Sequence, residues 1–158
     1  MMDKYDANRS IDEHRAISSM PRDGNTDAEI REILSRYKKV AVIGMSREEG
    51  KASHEIPRYL IEKGYDVIPV NPNTDFILGR KSYKSIGEVT GNIDIVDVFR
   101  PSDQVLAVVK DAILKNPKVI WLQEGISNDE ARKVAEESGI LFVFNRCMMK
   151  EHIRLFGE

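Results

Sequence analysis

A chain of 158 residues, 41% hydrophobic and 32% charged, has the size of one globular domain and enough apolar side chains to bury a core. Its 24 Lys and Arg against 26 Asp and Glu leave a formal net charge of -2, which excludes bulk electrostatic binding of nucleic acid but not a local basic pocket. Cys147 is the only cysteine, so an intramolecular disulfide and a cysteine-rich zinc site are both excluded.

The first 26 residues mix charges with scattered apolar positions and are expected to form an extension, disordered or partly helical, outside a domain of residues 27–158. They lack the apolar core of a signal peptide, and no stretch in the chain has the length of a membrane span. A soluble cytoplasmic protein is the expectation. From Asp27 to Tyr37, Ile30, Ile33 and Leu34 recur at helical spacing, with Thr26 or Asp27 as the cap.

From Lys39 onward strands and helices alternate. Val40 to Ile43 is a short apolar run ending at Gly44, the pattern of a strand covered on both faces. A helix to about Lys63 buries Ile56, Leu60 and Ile61, stops at Gly64, and is expected to hold Pro57 in its first turn. Asp66 to Val70 is the second strand. The long connection from Asn71 to Asn92 is expected to hold a short helix at Ser85 to Val89, with turns at Gly79, Gly87 and Gly91. Ile93 to Phe99 is the third strand, followed by a helix capped by Ser102 that buries Val105, Leu106, Val109 and Ile113. Val119 to Leu122 is the fourth strand. Ser127 to Glu130 reads as a capping box opening a helix that ends near Gly139. Ile140 to Phe144 is the fifth strand, and a short helix from Met148 to Phe156 closes the chain.

Five strands separated by helices predict an α/β domain: a five-stranded parallel sheet with helices on both faces. The expected strand order is third, second, first, fourth, fifth. That order puts the ligand crevice at the carboxyl ends of the first and fourth strands.

The segments leaving that edge concentrate glycines, hydroxyls and cations. Gly44 lets the backbone approach a ligand, Ser46 offers a hydroxyl, and Lys51 adds a charge near a helix start whose free N–H groups favour an anion. Taken alone, Gly44 serves helix-strand packing equally well. The loop matches neither G-x-G-x-x-G nor a P-loop. Where an NAD site carries a carboxylate at the end of the second strand, this chain reads Val70-Asn71-Pro72, which disfavours NAD and suits a ligand with an extra phosphate. By default Asn71 is only a turn former before Pro72.

The series VAVIGMS, KAS, GYDVIPVNP, DIVDVFRPS, WLQEGIS and NRC, in this order and spacing, resembles the small stand-alone CoA-binding proteins, relatives of the CoA-binding domain of succinyl-CoA synthetase α subunits. The resemblance covers about Tyr37 to the C-terminus. It implies a single Rossmann-like domain with coenzyme A across the carboxyl edge of the sheet. Carried over by motif, the contacts are Gly44, Ser46, Lys51, Asn71, Pro72, Arg100, Pro101, Gln123, Glu124 and Gly125. The ligase reaction does not carry over. The family's synthetases need a phosphorylated histidine from a second domain, and His14, His54 and His152 show no catalytic spacing here.

Cys147 has two readings: a small packed residue, or a thiol on the ligand rim whose pKa Arg146 lowers and which exchanges with the thiol of CoA. Trp121 is expected in the core, and Glu130, Arg132, Lys133, Glu136 and Glu137 on a solvated helix face. Three functions follow. The leading one is non-catalytic binding of CoA or a short acyl-CoA, without nucleic acid or membrane partners, as a homo-oligomer or beside a partner subunit. The second is an enzyme, either an NAD(P)-linked oxidoreductase or an acyl-CoA ligase component. The third is redox sensing through Cys147.

Overall fold

The computed structural model describes residues 23–157; of the expected extension, residues 1–22 lie outside them. Helix α1 (Asp27–Arg36) is capped by Thr26, whose hydroxyl oxygen accepts from the Glu29 amide. Strand β1 (Lys39–Ile43), helix α2 (Ala52–Glu62) and strand β2 (Asp66–Val70) follow. Two short strands, β3 (Phe76–Ile77) and β4 (Arg80–Lys81), form an antiparallel hairpin in the long connection. A 3-10 turn at Ile86–Glu88 leads to β5 (Ile95–Val98), and another at Ser102–Gln104 to α3 (Val105–Ile113). Then come β6 (Val119–Leu122), α4 (Asp129–Glu137), β7 (Leu141–Val143) and α5 (Met148–Phe156).

The main sheet has five parallel strands in the order β2-β1-β5-β6-β7. One layer buries Val40, Val42, Ile95 and Trp121 beneath α1, α2 and α5; the other buries Ala41, Val96, Val98 and Ile120 beneath α3 and α4. The expected class therefore holds, but the expected order does not. The third strand lies between the first and the fourth, and the second strand is at the edge. Pro69 explains this. A proline inside a strand has no N–H for a second neighbour, so it belongs on an edge. On that open side the Pro69 carbonyl accepts from Tyr83 and the Tyr83 carbonyl from Asn71, so a single bridge covers the end of β2. β5, buried at all four positions, takes the central place. The rule for such sheets accordingly moves the expected ligand position to the β1/β5 edge, where one connection leads to α2 on one face and the other to α3 on the opposite face.

Local details also differ. Asn128, not Ser127, caps α4, because its side chain accepts from the Ala131 amide. Ser102 caps nothing; its hydroxyl oxygen accepts from the Ser127 amide, tying the β5 and β6 loops together. Pro57 lies in the second turn of α2 instead of the first.

Candidate functional site

The first loop is built by one missing hydrogen bond. In an α-helix the amide of residue 57 would bond the carbonyl of residue 53, and Pro57 has no N–H. The Ser53 carbonyl instead accepts from the Ser46 amide at 3.1 Å, drawing the loop onto the start of α2. Buried His54 reinforces this closure by donating its Nδ1–H to the Ser46 carbonyl at 2.7 Å. The Ser46 side-chain oxygen accepts from the Glu48 amide at 3.0 Å, which leaves its hydroxyl proton for a ligand. No side chain caps α2 at Lys51; the His54 amide bonds the Lys51 carbonyl at 2.9 Å, and the Ala52 and Ser53 amides before it open the helix without a side-chain cap.

Gly44 is required twice over. Its φ is +83°, and a Cβ there would collide with the Phe99 carbonyl oxygen. Arg100 Nε lies 3.5 Å from the place that Cβ would occupy, so the Arg100 side chain lies against Gly44. Lys51 is less free than its sequence position suggests, since its ammonium pairs with Glu48 at 2.7 Å. That pairing holds the Glu48 carboxyl below its usual range and accounts for an acid beside an anion-favouring loop.

Asn71 is a tie between loops. Its Nδ2 donates to the Met45 carbonyl at 2.8 Å, and its Oδ1 accepts from the Asn73 amide. The Pro72 carbonyl accepts from Lys84, on the outer side. Pro101 is exposed at the end of β5.

Next along the rim, Gln123 is buried and works inside the protein. Its Nε2 donates to Asp97, and its Oε1 accepts from the Met148 amide at the start of α5. Glu124 pairs with Lys150 at 3.0 Å. Gly125 has φ +85°, and its amide donates to Asn145 Oδ1 at 2.8 Å; Asn145 itself sits at φ +54°. Gly44, Ser46, Lys51 and Arg100 thus lie on the segments leaving the carboxyl ends of β1 and β5, while Gln123, Glu124 and Gly125 follow β6.

The rim-thiol reading of Cys147 fails. The side chain is buried, and burial pushes its thiol up to about 12, with Glu124 adding to the rise. Arg146 does not serve it. That guanidinium is buried against Asp23 at 2.7 Å and against Glu151 at 3.4 Å. Trp121 is core as expected, donating its ring N–H to the Arg146 carbonyl at 2.7 Å. His152 bonds the Tyr59 hydroxyl on the helical face of the molecule, and His14 lies outside the described residues. Among the described residues no cluster of His, Cys, Asp and Glu could hold a metal ion, and no helix is long and apolar enough to cross a membrane.

Sequence reasoning gave no role to Asp97, placed Asn145 on the rim without a partner, and gave the cap of α4 to Ser127 instead of Asn128. Asp97 had a signal: a lone acid within Ile95-Val96-Asp97-Val98, a strand with no exposed face.

Residues 38–153 match the family described as the CoA binding domain. The chain belongs to that family. It is 39% identical over 125 residues to the uncharacterised protein YneT of Bacillus subtilis, covering 79% of this chain and 93% of that one. It is 30% identical over 132 residues to an ADP-forming acetate–CoA ligase of Methanocaldococcus jannaschii, covering 77% of this chain but only 19% of the ligase. A solved structure, a hypothetical protein from Pyrococcus horikoshii OT3, superposes with a TM-score of 0.84 at 46% identity, over 88% of this chain and 98% of that one. Family members of this kind therefore occur both as short chains and as one segment of a ligase.

Proposed function

We propose that this chain binds coenzyme A or a short acyl-CoA in the crevice between β1 and β5 and does not turn it over. The observation that carries the reading is the first loop. Gly44, the hydroxyl of Ser46, the uncapped start of α2 and Arg100 beside Gly44 make a cradle suited to phosphate oxygens. The family match supports coenzyme A as the ligand class. Asn71, Pro72, Pro101, Glu124 and Gly125 border the same edge and would line the rest of the ligand, with Gln123 acting from beneath. Against an NAD-linked oxidoreductase stands Asn71, whose amide holds Met45 where a ribose-binding carboxylate would be needed. We assign the protein to the cytoplasm as part of this reading.

Calorimetry with CoA, dephospho-CoA, NAD and NADP tests it. CoA should bind more tightly than dephospho-CoA, and NAD should give no signal. Tight NAD binding without a CoA signal would overturn the proposal.

A second reading, a component that completes an acyl-CoA ligase with a partner subunit, is favoured by one fact: the matching archaeal ligases carry this segment within longer chains. Native mass spectrometry of the purified protein separates a homo-oligomer from a monomer awaiting such a partner.

A further inference from the structure

Asp97 is fully buried in the central strand. Its register neighbours are Val42 on β1 and Trp121 on β6, and it shares the face covered by α1, α2 and α5. Its Oδ1 accepts from Gln123 Nε2; its Oδ2 is buried without a hydrogen-bond partner. A polar oxygen left bare in a core is costly and calls for a reason. The Gln123 amide has only one orientation that fits, since its other end accepts from the Met148 amide. One carboxyl therefore fixes one amide, and that amide joins the end of β6 to the first turn of α5.

Other charges around this face are engaged elsewhere. From α2, His54 holds the Ser46 carbonyl and Glu55 pairs with Arg58. From α5, Glu151 pairs with Arg146 and Arg154, and Cys147 is a neutral thiol. Glu124 pairs with Lys150, while α1 contributes Ile30, Ile33 and Leu34. Among the described residues, Asp97 has no cation to balance it.

We infer that Asp97 is a positioning residue for the ligand site, holding Gln123 and through it the Gln123–Gly125 loop and the start of α5 in the binding arrangement while its carboxyl is protonated. Burial pushes that carboxyl up to about 7, against the pull of the Gln123 hydrogen bond, so the strut changes state near neutral pH. Ionisation strengthens the Gln123 bond at Oδ1 but leaves a buried charge whose bare Oδ2 draws in water or a second donor, and that rearrangement moves the pair out of the binding arrangement. Anionic phosphates at the same rim oppose the ionisation as well. Ligand binding and protonation therefore favour each other, reciprocally. This inference rests on the CoA reading for its ligand but not for its internal hydrogen bonds.

The experiment has two arms. In the ligand-free protein, NMR should show the amides of Met148 and Gly125 and the Gln123 side-chain amide titrating together with the Asp97 carboxyl. In Asp97→Asn, which is isosteric and keeps an acceptor, that titration should vanish. In the second arm CoA is titrated calorimetrically at about pH 6 and about pH 8.5, where the wild type should lose roughly three- to tenfold more affinity than Asp97→Asn. Wild-type binding at neutral pH should also take up part of a proton that the variant does not. Amides that stay still while Asp97 titrates overturn the positioning role, as do equal pH slopes in two proteins that both bind. Coupled amides with no CoA binding at any pH retain Asp97 as the strut of this loop and sink the CoA reading instead.

Discussion

Arg100 is a cation that the fold brings against Gly44 of the first loop, and it carries the sharpest expectation for a single side chain. It lies against the position a Gly44 Cβ would take, whereas Lys51 is engaged by Glu48 and Arg146 by Asp23. Arg100→Ala should weaken CoA by about 1.5–3 kcal/mol, the worth of a charge-assisted hydrogen bond to phosphate, or roughly ten- to 150-fold. Lys133→Ala, on α4 of the opposite layer, should leave affinity unchanged, and equal losses in the two would mean that the ligand does not use this crevice. Cys147 yields the converse prediction. With its thiol buried and raised to about 12, it should resist thiol reagents and oxidised CoA at neutral pH in the folded protein and react once unfolded. Rapid labelling of the native state, followed by intact-mass measurement, would restore the redox proposal. At this scale the rim residues were legible as a set, because glycines and hydroxyls after apolar runs are local signals. The division of labour among them was not. Whether Arg146 faces a thiol or an aspartate 123 residues away depends on tertiary packing that no local pattern records.

Alternation of apolar strands with amphipathic helices was enough to read the layers and most element bounds. The errors came where a backbone group had a distant partner. Pro69 announced an edge strand, and attending to its missing N–H would have moved the second strand outward and the crevice to β1 and β5. The β3–β4 hairpin, turning through Leu78 at φ +51° and Gly79 at +73°, has strands too short for any periodicity to appear. Pro57 is the informative case. A proline in the second turn costs the helix about 3 kcal/mol relative to a good helix former, yet here it frees the Ser53 carbonyl that holds Ser46. Pro57→Ala should therefore stabilise α2 while releasing the loop, because the new amide competes with Ser46 for that carbonyl. The expected outcome is a higher urea midpoint together with several-fold weaker CoA binding, read by chemical unfolding and calorimetry on the same preparation. Unchanged affinity would show that His54 and Asn71 hold the loop without the Ser53 carbonyl.

Across the whole molecule, buried polar groups link the elements at the carboxyl end, and most of them are balanced. Asp23 receives the Arg146 guanidinium and the Phe144 amide, and Asn25 donates to the Phe142 carbonyl, so the segment before α1 closes the outer edge of β7. Among the described residues two buried carboxylate oxygens lack a hydrogen-bond partner, one on Glu55, which has Arg58 beside it, and one on Asp97, an acid at the centre of the sheet with no cation, whose effect the pH dependence of stability should reveal. Its carboxyl is raised in the folded state from an ordinary value near 4 to about 7, so the native protein holds a proton there that the unfolded chain releases. Between those two values stability must fall as pH rises, by at most about 1.4 kcal/mol per pH unit, and level off above the folded value. The opposite slope comes from carboxyls held low in the folded state, such as Asp27 beside Arg154, which lose their contribution as pH falls. The two trends overlap in the wild type, so the measurement is a difference. Asp97→Asn should gain stability over the wild type progressively from about pH 4 to about pH 7 and hold a constant margin beyond, as followed by urea unfolding at each pH. A margin that does not grow across that interval would mean that Asp97 ionises in the fold as readily as in water, and that a donor or cation reaches its second oxygen.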